Sequence, residues 1–338
     1  MLKYAIDHSA SDLHLASGSV PLMRVNGDLV PIPGELMLQE ELLYKMLQEL
    51  IPKKRQTNDE LQEIDFAFSL PDLGRFRGNI FWQLNGISAA FRMIPFEVKT
   101  LVDLNVSAVL TKLCQLHSGL ILVTGSTGMG KSTTLAAMVE EINQNKQSHI
   151  ITIEDPIEFV YNNKRALIQQ RELYQHTNTF HEALRAALRE DPDVILIGEL
   201  RDLETMRLAL TAAETGHLVM ATLHTASAAK TINRIIDVFP THEKELMRMM
   251  LADSLQAVIS QVLVKKKSAG RLVVQEIMLC NHAIRNLIRA NEITQIYNIM
   301  QTNAALGMTT FVQVFNDLVN KGIIDNLERQ DAWFNTIN

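Results

Sequence analysis

Residues 120–138 read "LILVTGSTGMGKSTTLAAM": an apolar strand pattern, a glycine-rich turn and a helix pattern in succession. Within it, Gly125-x-x-x-x-Gly130-Lys131-Ser132 has the spacing of a phosphate loop, in the strand-to-helix context such a loop needs. Glycines let backbone N–H groups turn inward around phosphate oxygens, and the start of the helix adds partial positive charge. The nine residues Gly125, Ser126, Thr127, Gly128, Met129, Gly130, Lys131, Ser132 and Thr133 are therefore expected to bind ATP. Lys131 would reach the β- and γ-phosphates, and Ser132 would ligate Mg²⁺.

The neighbouring segments extend this reading. "GLILVTG", "HIITIED", "PDVILIGE" and "GHLVMATLH" are strands apolar on both faces and separated by helical stretches, which predicts a mostly parallel sheet covered on both sides. From about residue 240 the pattern reads as helices, including "EKELMRMMLADSLQAVISQVLV", whose Leu246, Met249, Met250 and Leu255 have core spacing. Residues 1–97 read as a smaller α/β domain. There "SDLHLA" alternates as a half-buried strand, "LMRVNGDLVPI" is a hairpin around Asn26-Gly27, and 39–62 is helical with an interruption at Pro52. "DFAFSL", "RFRGNIFWQL" and "ISAAFRMI" follow as antiparallel strands with turns at "PDLG" and "NG". The fold class is α/β, with domains at 1–97 and 105–338 and a linker at 98–104 that follows Pro95.

Ligands of open α/β sheets bind at the carboxyl ends of strands. Three strands end there in polar residues: Glu154, Asp155 and Glu158; Glu199, Arg201 and Asp202; and Thr222, His224 and Thr225, with His217 at the start of the last. Phosphoryl transfer to water needs a metal near the phosphates and a carboxylate that orients the water. Gly198 stands where an aspartate would coordinate the metal directly, so Glu199 is expected to hold Mg²⁺ through water and Glu158 to position the attacking water. His224 has two readings, a γ-phosphate sensor or a hydrogen-bonded structural residue. Arg75 and Arg77 share one strand face, and Arg92 lies on a later strand. Either this is a solvated face, or it meets a neighbouring subunit's nucleotide as arginine fingers do.

Composition narrows the classes. A net charge of −6 disfavours a nucleic-acid coat. Cys114 and Cys280 form no zinc knuckle and read as reduced structural thiols. No apolar run reaches the roughly 20 residues of a membrane span, and the first residues do not have a signal-peptide pattern. Lys265-Lys266-Lys267 reads as a solvated turn rather than a strand-binding loop.

Together "GSTGMGKST", "ITIEDPIEF", "LREDPDVILIGELRD" and "TGHLVMATLHT" resemble the Walker A, Asp box, Walker B and His box of the type II/type IV secretion ATPase superfamily. "SDLHL", "GRFR", "ALTAAETGHL", "SAAKTINRIIDVFP" and "AIRNLIRA" are similar to its pilus-retraction, twitching-motility branch, and the resemblance covers residues 5–325. It implies a PAS-like N-terminal domain, then a RecA-like P-loop ATPase domain with a helical C-terminal part. It implies a homohexamer, cytoplasmic and peripheral at the inner membrane, that works with the pilus platform protein and other pilus ATPases. It also implies that Arg75, Arg77 and Arg92 act between subunits, and that Glu158 holds the catalytic place. An accessory retraction ATPase, a secretion or conjugation ATPase, and a RecA-like nucleic-acid motor are the competing readings. Ser126 and Met129 depart from the usual proline and serine of the loop, and Gly78 replaces a valine, which would loosen its strand. Ala290 stands where the branch has glutamate, and an exposed ion pair lost there is worth about 0.2–1 kcal/mol. In "AIRNLIRA", Ile284, Leu287 and Ile288 are expected to pack inward, with Arg285 and Arg289 on one face.

Overall fold

A computed structural model describes residues 1–25, 27–51, 63–71, 73–94, 98–268 and 270–326. Asn26 of the expected hairpin, Pro52 with the rest of the 39–62 helix, Asp72 of the "PDLG" turn, and Pro95 fall outside those residues. The chain divides into two units, and the division is not a single cut. Unit one comprises Met1–Glu97, Asp155–Val160 and Glu172–Asn178, and unit two comprises Val98–Glu154, Tyr161–Arg171 and Thr179–Asn338.

Unit one contains α1 (Leu2–Asp7), β1 (Asp12–Ala16), β2 (Leu22–Val25), β3 (Asp28–Pro31), α2 (Glu40–Leu50), β4 (Ile64–Leu70), β5 (Gly74–Gln83) and β6 (Gly86–Ile94). Its sheet runs β3-β2-β1-β6-β5-β4, antiparallel throughout. Alternation sends Leu13, Leu15, Phe66, Phe68, Phe76, Ile80 and Phe91 to one face, where Leu43 and Leu47 of α2 join the core. Gly78 does not loosen β5. A Cβ there would meet the Phe66 ring at 2.8 Å and the Phe91 ring at 3.0 Å, so two aromatic rings already fill the space a valine would take.

Unit two begins with α3 (Val109–Leu113), β7 (Gly119–Thr124), α4 (Lys131–Asn145), β8 (His149–Glu154) and β9 (Leu167–Glu172), whose last residue belongs to unit one. It continues with α5 (Phe180–Ala187), β10 (Val194–Ile197), α6 (Leu203–Glu214), β11 (Leu218–Leu223), α7 (Ala228–Asp237) and α8 (Lys244–Ser254). β12 (Leu255–Lys265), β13 (Arg271–Leu279), α9 (His282–Arg289), α10 (Ile296–Thr302) and α11 (Phe311–Asn320) complete it. The sheet order is β13-β12-β7-β11-β10-β8-β9. Strands β12, β7, β11, β10 and β8 are parallel, and β13 is antiparallel to β12. Every residue of β7, β10 and β11 is buried, as strands covered on both faces require.

The expected helix over the second half of "EKELMRMMLADSLQAVISQVLV" is a strand. β-Branched Val258, Ile259, Val262 and Val264 lie in β12, between β7 and β13, and that pairing overrides the helical phase carried over from α8. The core face of α8 also differs: Met247, Leu251 and Ser254 are buried at i, i+4, i+7, whereas Leu246 and Met249 are 57% and 50% exposed. In α9, Ile284 and Ile288 are buried and Leu287 is half-buried. Arg285 Nη1 donates to the carbonyls of Ala252 and Asp253, and Arg289 pairs with Asp253. Both arginines have partners, so alanine at position 290 leaves neither stranded. Lys265–Lys267 enters the turn between β12 and β13, where the Lys266 N–H donates to Gly270 O at 3.0 Å.

Candidate active site

The phosphate loop is the link from β7 to α4. Gly125, Gly128 and Gly130 have φ of 140°, 81° and 81°, and Gly130 takes the N-cap position of α4. A Cβ on Gly125 would collide with the Gln261 carbonyl, so only glycine fits. Support comes from β12. Gln261 Nε2 donates to Met129 O at 2.8 Å, and its Oε1 accepts from Thr134 Oγ1 at 2.9 Å. The Leu263 N–H donates to Met129 Sδ at 3.3 Å, so the unusual methionine of the loop acts as an acceptor. Gln261 is a site residue that the sequence pattern hid, because its strand read as helix.

Lys131 is buried under the loop. Its Nζ donates to Gly125 O at 2.8 Å and Ser126 O at 3.1 Å, and lies 3.3 Å from His224 Nδ1. His224 Nε2 lies 3.1 Å from Glu199 Oε1, and Arg201 Nε donates to Glu199 Oε2 at 2.8 Å. A lysine ammonium carries only donors, so Nδ1 of His224 accepts and Nε2–H donates to Glu199; the network assigns this tautomer. The result is a continuous Lys131–His224–Glu199–Arg201 chain at the carboxyl ends of β7, β10 and β11. β11 is positioned by Thr222, whose Oγ1 donates to Gly198 O.

Other predicted residues lie elsewhere. His217 immediately precedes β11, bonded to Ala212 O at 3.0 Å, at the opposite end of a six-residue strand about 20 Å long. Asp202 caps α6 by accepting from Thr205 N at 2.8 Å. Glu154 is buried and accepts from Thr152 Oγ1 at 2.6 Å and Gln170 Nε2 at 3.3 Å. Beside the loop, a cleft of about 390 Å³ is lined by Lys99, Asn105, Gly130, Thr133, Leu263 and Arg271. That volume is within the range of small-ligand sites.

Asp155 and Glu158 belong to unit one, as do the arginines. Arg77 of β5 and Arg92 of β6 are register partners on one face. Like charges opposed across a ladder repel; Asp65 lies 4.0 Å from Arg77, and Asp12 pairs with Arg92 at 2.9 Å. Burial raises the Asp12 pKa, but hydrogen bonds from Ser11 and Arg92, with the Arg92 charge, outweigh it and hold the carboxyl below its usual range. Arg75 instead pairs with the buried Glu172. Burial pushes the thiols of Cys114 up to about 12 and Cys280 up to about 11, so neither is a thiolate near neutral pH.

A family model described as type II/IV secretion system protein matches residues 92–326. The type IV pilus retraction ATPase PilT of Pseudomonas aeruginosa is 51% identical over 327 residues, 96% of this chain and 94% of that protein. A twitching motility protein of Neisseria gonorrhoeae is 52% identical over 305 residues, 90% and 82% of the respective chains. The crystal structure of the pilus retraction motor PilT with bound ADP is similar at a TM-score of 0.92 and 44% identity, covering 98% of this chain and 95% of that one. The fold class expected from the sequence, a PAS-like α/β domain followed by a RecA-like P-loop domain with C-terminal helices, holds along the chain.

Proposed function

Because the chain belongs to the type II/IV secretion system protein family, we propose that it is an ATPase motor that hydrolyses ATP to power retraction of a type IV pilus, and so twitching motility. The Lys131–His224–Glu199 chain at the base of a glycine cradle carries the enzymatic reading. Identity to PilT along nearly the whole chain supports the pilus reading.

The cradle residues Gly125–Thr133 hold the phosphates, and the adjoining cleft takes the nucleoside. Among its contacts, Lys131 Nζ meets three acceptors that are not anionic, the Gly125 and Ser126 carbonyls and His224 Nδ1. A phosphate oxygen carries charge and competes with them, so Lys131 turns to the phosphate and His224 loses a donor while keeping its bond to Glu199. His224 thus reports the γ-phosphate to Glu199. The half-exposed Ser132 hydroxyl and the Glu199 carboxylate fit a magnesium ion, which keeps several waters and takes few protein ligands. When bound, that ion neutralises charge developing on the phosphates. Glu158 orients the attacking water, and cationic side chains among Arg75, Arg77 and Arg92 stabilise the transferred phosphoryl group. Among the described residues no helix is long and apolar enough to cross a membrane. The working form is a ring of six copies on the cytoplasmic face of the inner membrane, acting on the pilus platform protein.

The purified chain should turn over ATP. Glu199→Gln should lose about 10²–10⁴-fold in kcat while still binding nucleotide. Deletion with complementation, scored by pilus number and twitching, tests the pilus reading. Unchanged piliation after deletion would reject retraction and leave the ATPase standing.

A further inference from the structure

We infer that Arg75 and Glu172 are positioning residues for Glu158: they clamp the backbone beside it, and Arg75 does not reach toward a phosphate. The inference rests on the reading of Glu158 as the carboxylate that orients water.

The Arg75 guanidinium is committed on three sides. Nη2 pairs with Glu172 Oε2, Nε donates to Ile157 O at 3.2 Å, and Nη1 donates to Ser69 Oγ at 3.3 Å. Its side chain is 17% exposed, against 42% for Arg77 and 70% for Arg92, and Glu172 is 1% exposed. Glu172 closes the clamp from the other side, its Oε2 accepting the Ile157 N–H at 3.2 Å. One ion pair therefore satisfies both main-chain groups of Ile157, and Glu158 is the next residue. Holding the N–H and C=O of one residue restrains the dihedrals that aim the following side chain.

The carboxylate of this clamp is itself anchored. Gln175 Nε2 donates to Glu172 Oε1 and to Ala67 O on β4 at 3.2 Å. The Glu172 N–H donates to His176 Nδ1 at 2.9 Å, and the His176 N–H returns to Glu172 O at 2.9 Å. An apolar pair could match a buried ion pair in stability. It could not satisfy the N–H and C=O of Ile157. The clamp also separates the arginines: Arg77 and Arg92 are the exposed pair suited to meet a transferred phosphoryl group across a subunit boundary, and Arg75 acts within its own chain.

The test measures kcat, KM for ATP and ADP affinity on full-length Arg75→Ala, Arg75→Lys, Glu172→Gln and Glu158→Gln, with thermal unfolding as a control. Arg75→Ala and Glu172→Gln should each lower kcat about ten- to a hundredfold, with KM and ADP affinity within about threefold of wild type. Their combination should be no worse than the worse single variant, and Arg75→Lys should regain most of kcat. Mixing Arg75→Ala with Glu199→Gln chains should restore no activity; restored turnover would make Arg75 a residue acting across subunits and overturn the inference. Wild-type kcat in Arg75→Ala and Glu172→Gln, with Glu158→Gln inactive, would sink the clamp alone. Full turnover in Glu158→Gln would remove the underlying reading of Glu158. If Arg75→Ala does not fold, Glu172→Gln and Arg75→Lys decide the matter by the same criteria.

Discussion

Two segments carry the proposed chemistry, residues 125–130 and 155–160, and they are held by opposite means. Neutral dipoles support the phosphate loop: the Gln261 amide on Met129 O and the Leu263 N–H on Met129 Sδ. A buried ion pair, Arg75 with Glu172, holds the second segment at Ile157. A loop that must receive several negative charges keeps its own supports uncharged, apart from the lysine that meets them. A segment that presents a carboxylate is fixed by a guanidinium already neutralised by Glu172, so its support adds no net charge beside Glu158.

The largest expected effect breaks the charged side of this comparison. Arg75→Ala leaves Glu172 buried without a counter-ion and should cost about 3–5 kcal/mol in urea unfolding. Replacing both partners, Arg75→Met with Glu172→Leu, should recover most of that stability but not turnover. Recovery of turnover as well would show that the charges serve packing alone. A smaller effect is expected on the neutral side. Gln261→Leu removes the donor to Met129 O and the acceptor of Thr134 Oγ1, and should cost about 1–3 kcal/mol while weakening ADP binding measured by calorimetry. Unchanged ADP affinity would mean that the loop does not need this support.

Glu276 on β13 sharpens the contrast with the smallest effect. It is a buried carboxylate that accepts from the N–H groups of Ala228 and Phe311, at the starts of α7 and α11. Burial raises its pKa above the ordinary 4.5, and the two N–H groups only partly offset this. A raised carboxyl means that the native state holds the proton more tightly than the unfolded chain. The stability it contributes is full below pH 4.5 and is lost as pH rises through the raised native value. Glu276→Gln should therefore flatten the pH dependence of unfolding above pH 4.5, gaining on wild type as pH rises. A variant that parallels wild type across that window would place Glu276 among groups with no effect on pH stability.

The parts legible in the sequence were those written in local pattern. The phosphate loop, the parallel strands and the strands of unit one follow from spacing and alternation over fewer than a dozen residues. The supports are not local. Arg75 meets Glu172 across 97 positions, and Gln261 meets Met129 across 132. β12 reads as helix in the sequence because the apolar phase of α8 runs on into Leu255, and only pairing with β7 and β13 makes it a strand. Gly78 reads as a loss in the sequence, whereas the Phe66 and Phe91 rings occupy the space a valine would fill. The motif residues Glu199 and His224 were legible as candidates, but the lysine that joins them to the loop shows its bond to His224 only in three dimensions.

Unit one is assembled from three stretches of chain, so the backbone crosses between the units at 97/98, 154/155, 160/161, 171/172 and 178/179. The first 97 residues are consequently not a transferable cassette. A recombination that imported them from a distant relative would set a foreign Arg75 against a resident Glu172 and Ile157, and would have to bring matching changes near codons 155–160 and 172–178 with it. Lineages should therefore inherit these three stretches together, and chimaeras joined at residue 97 should fold best when both parents share the 172–178 sequence.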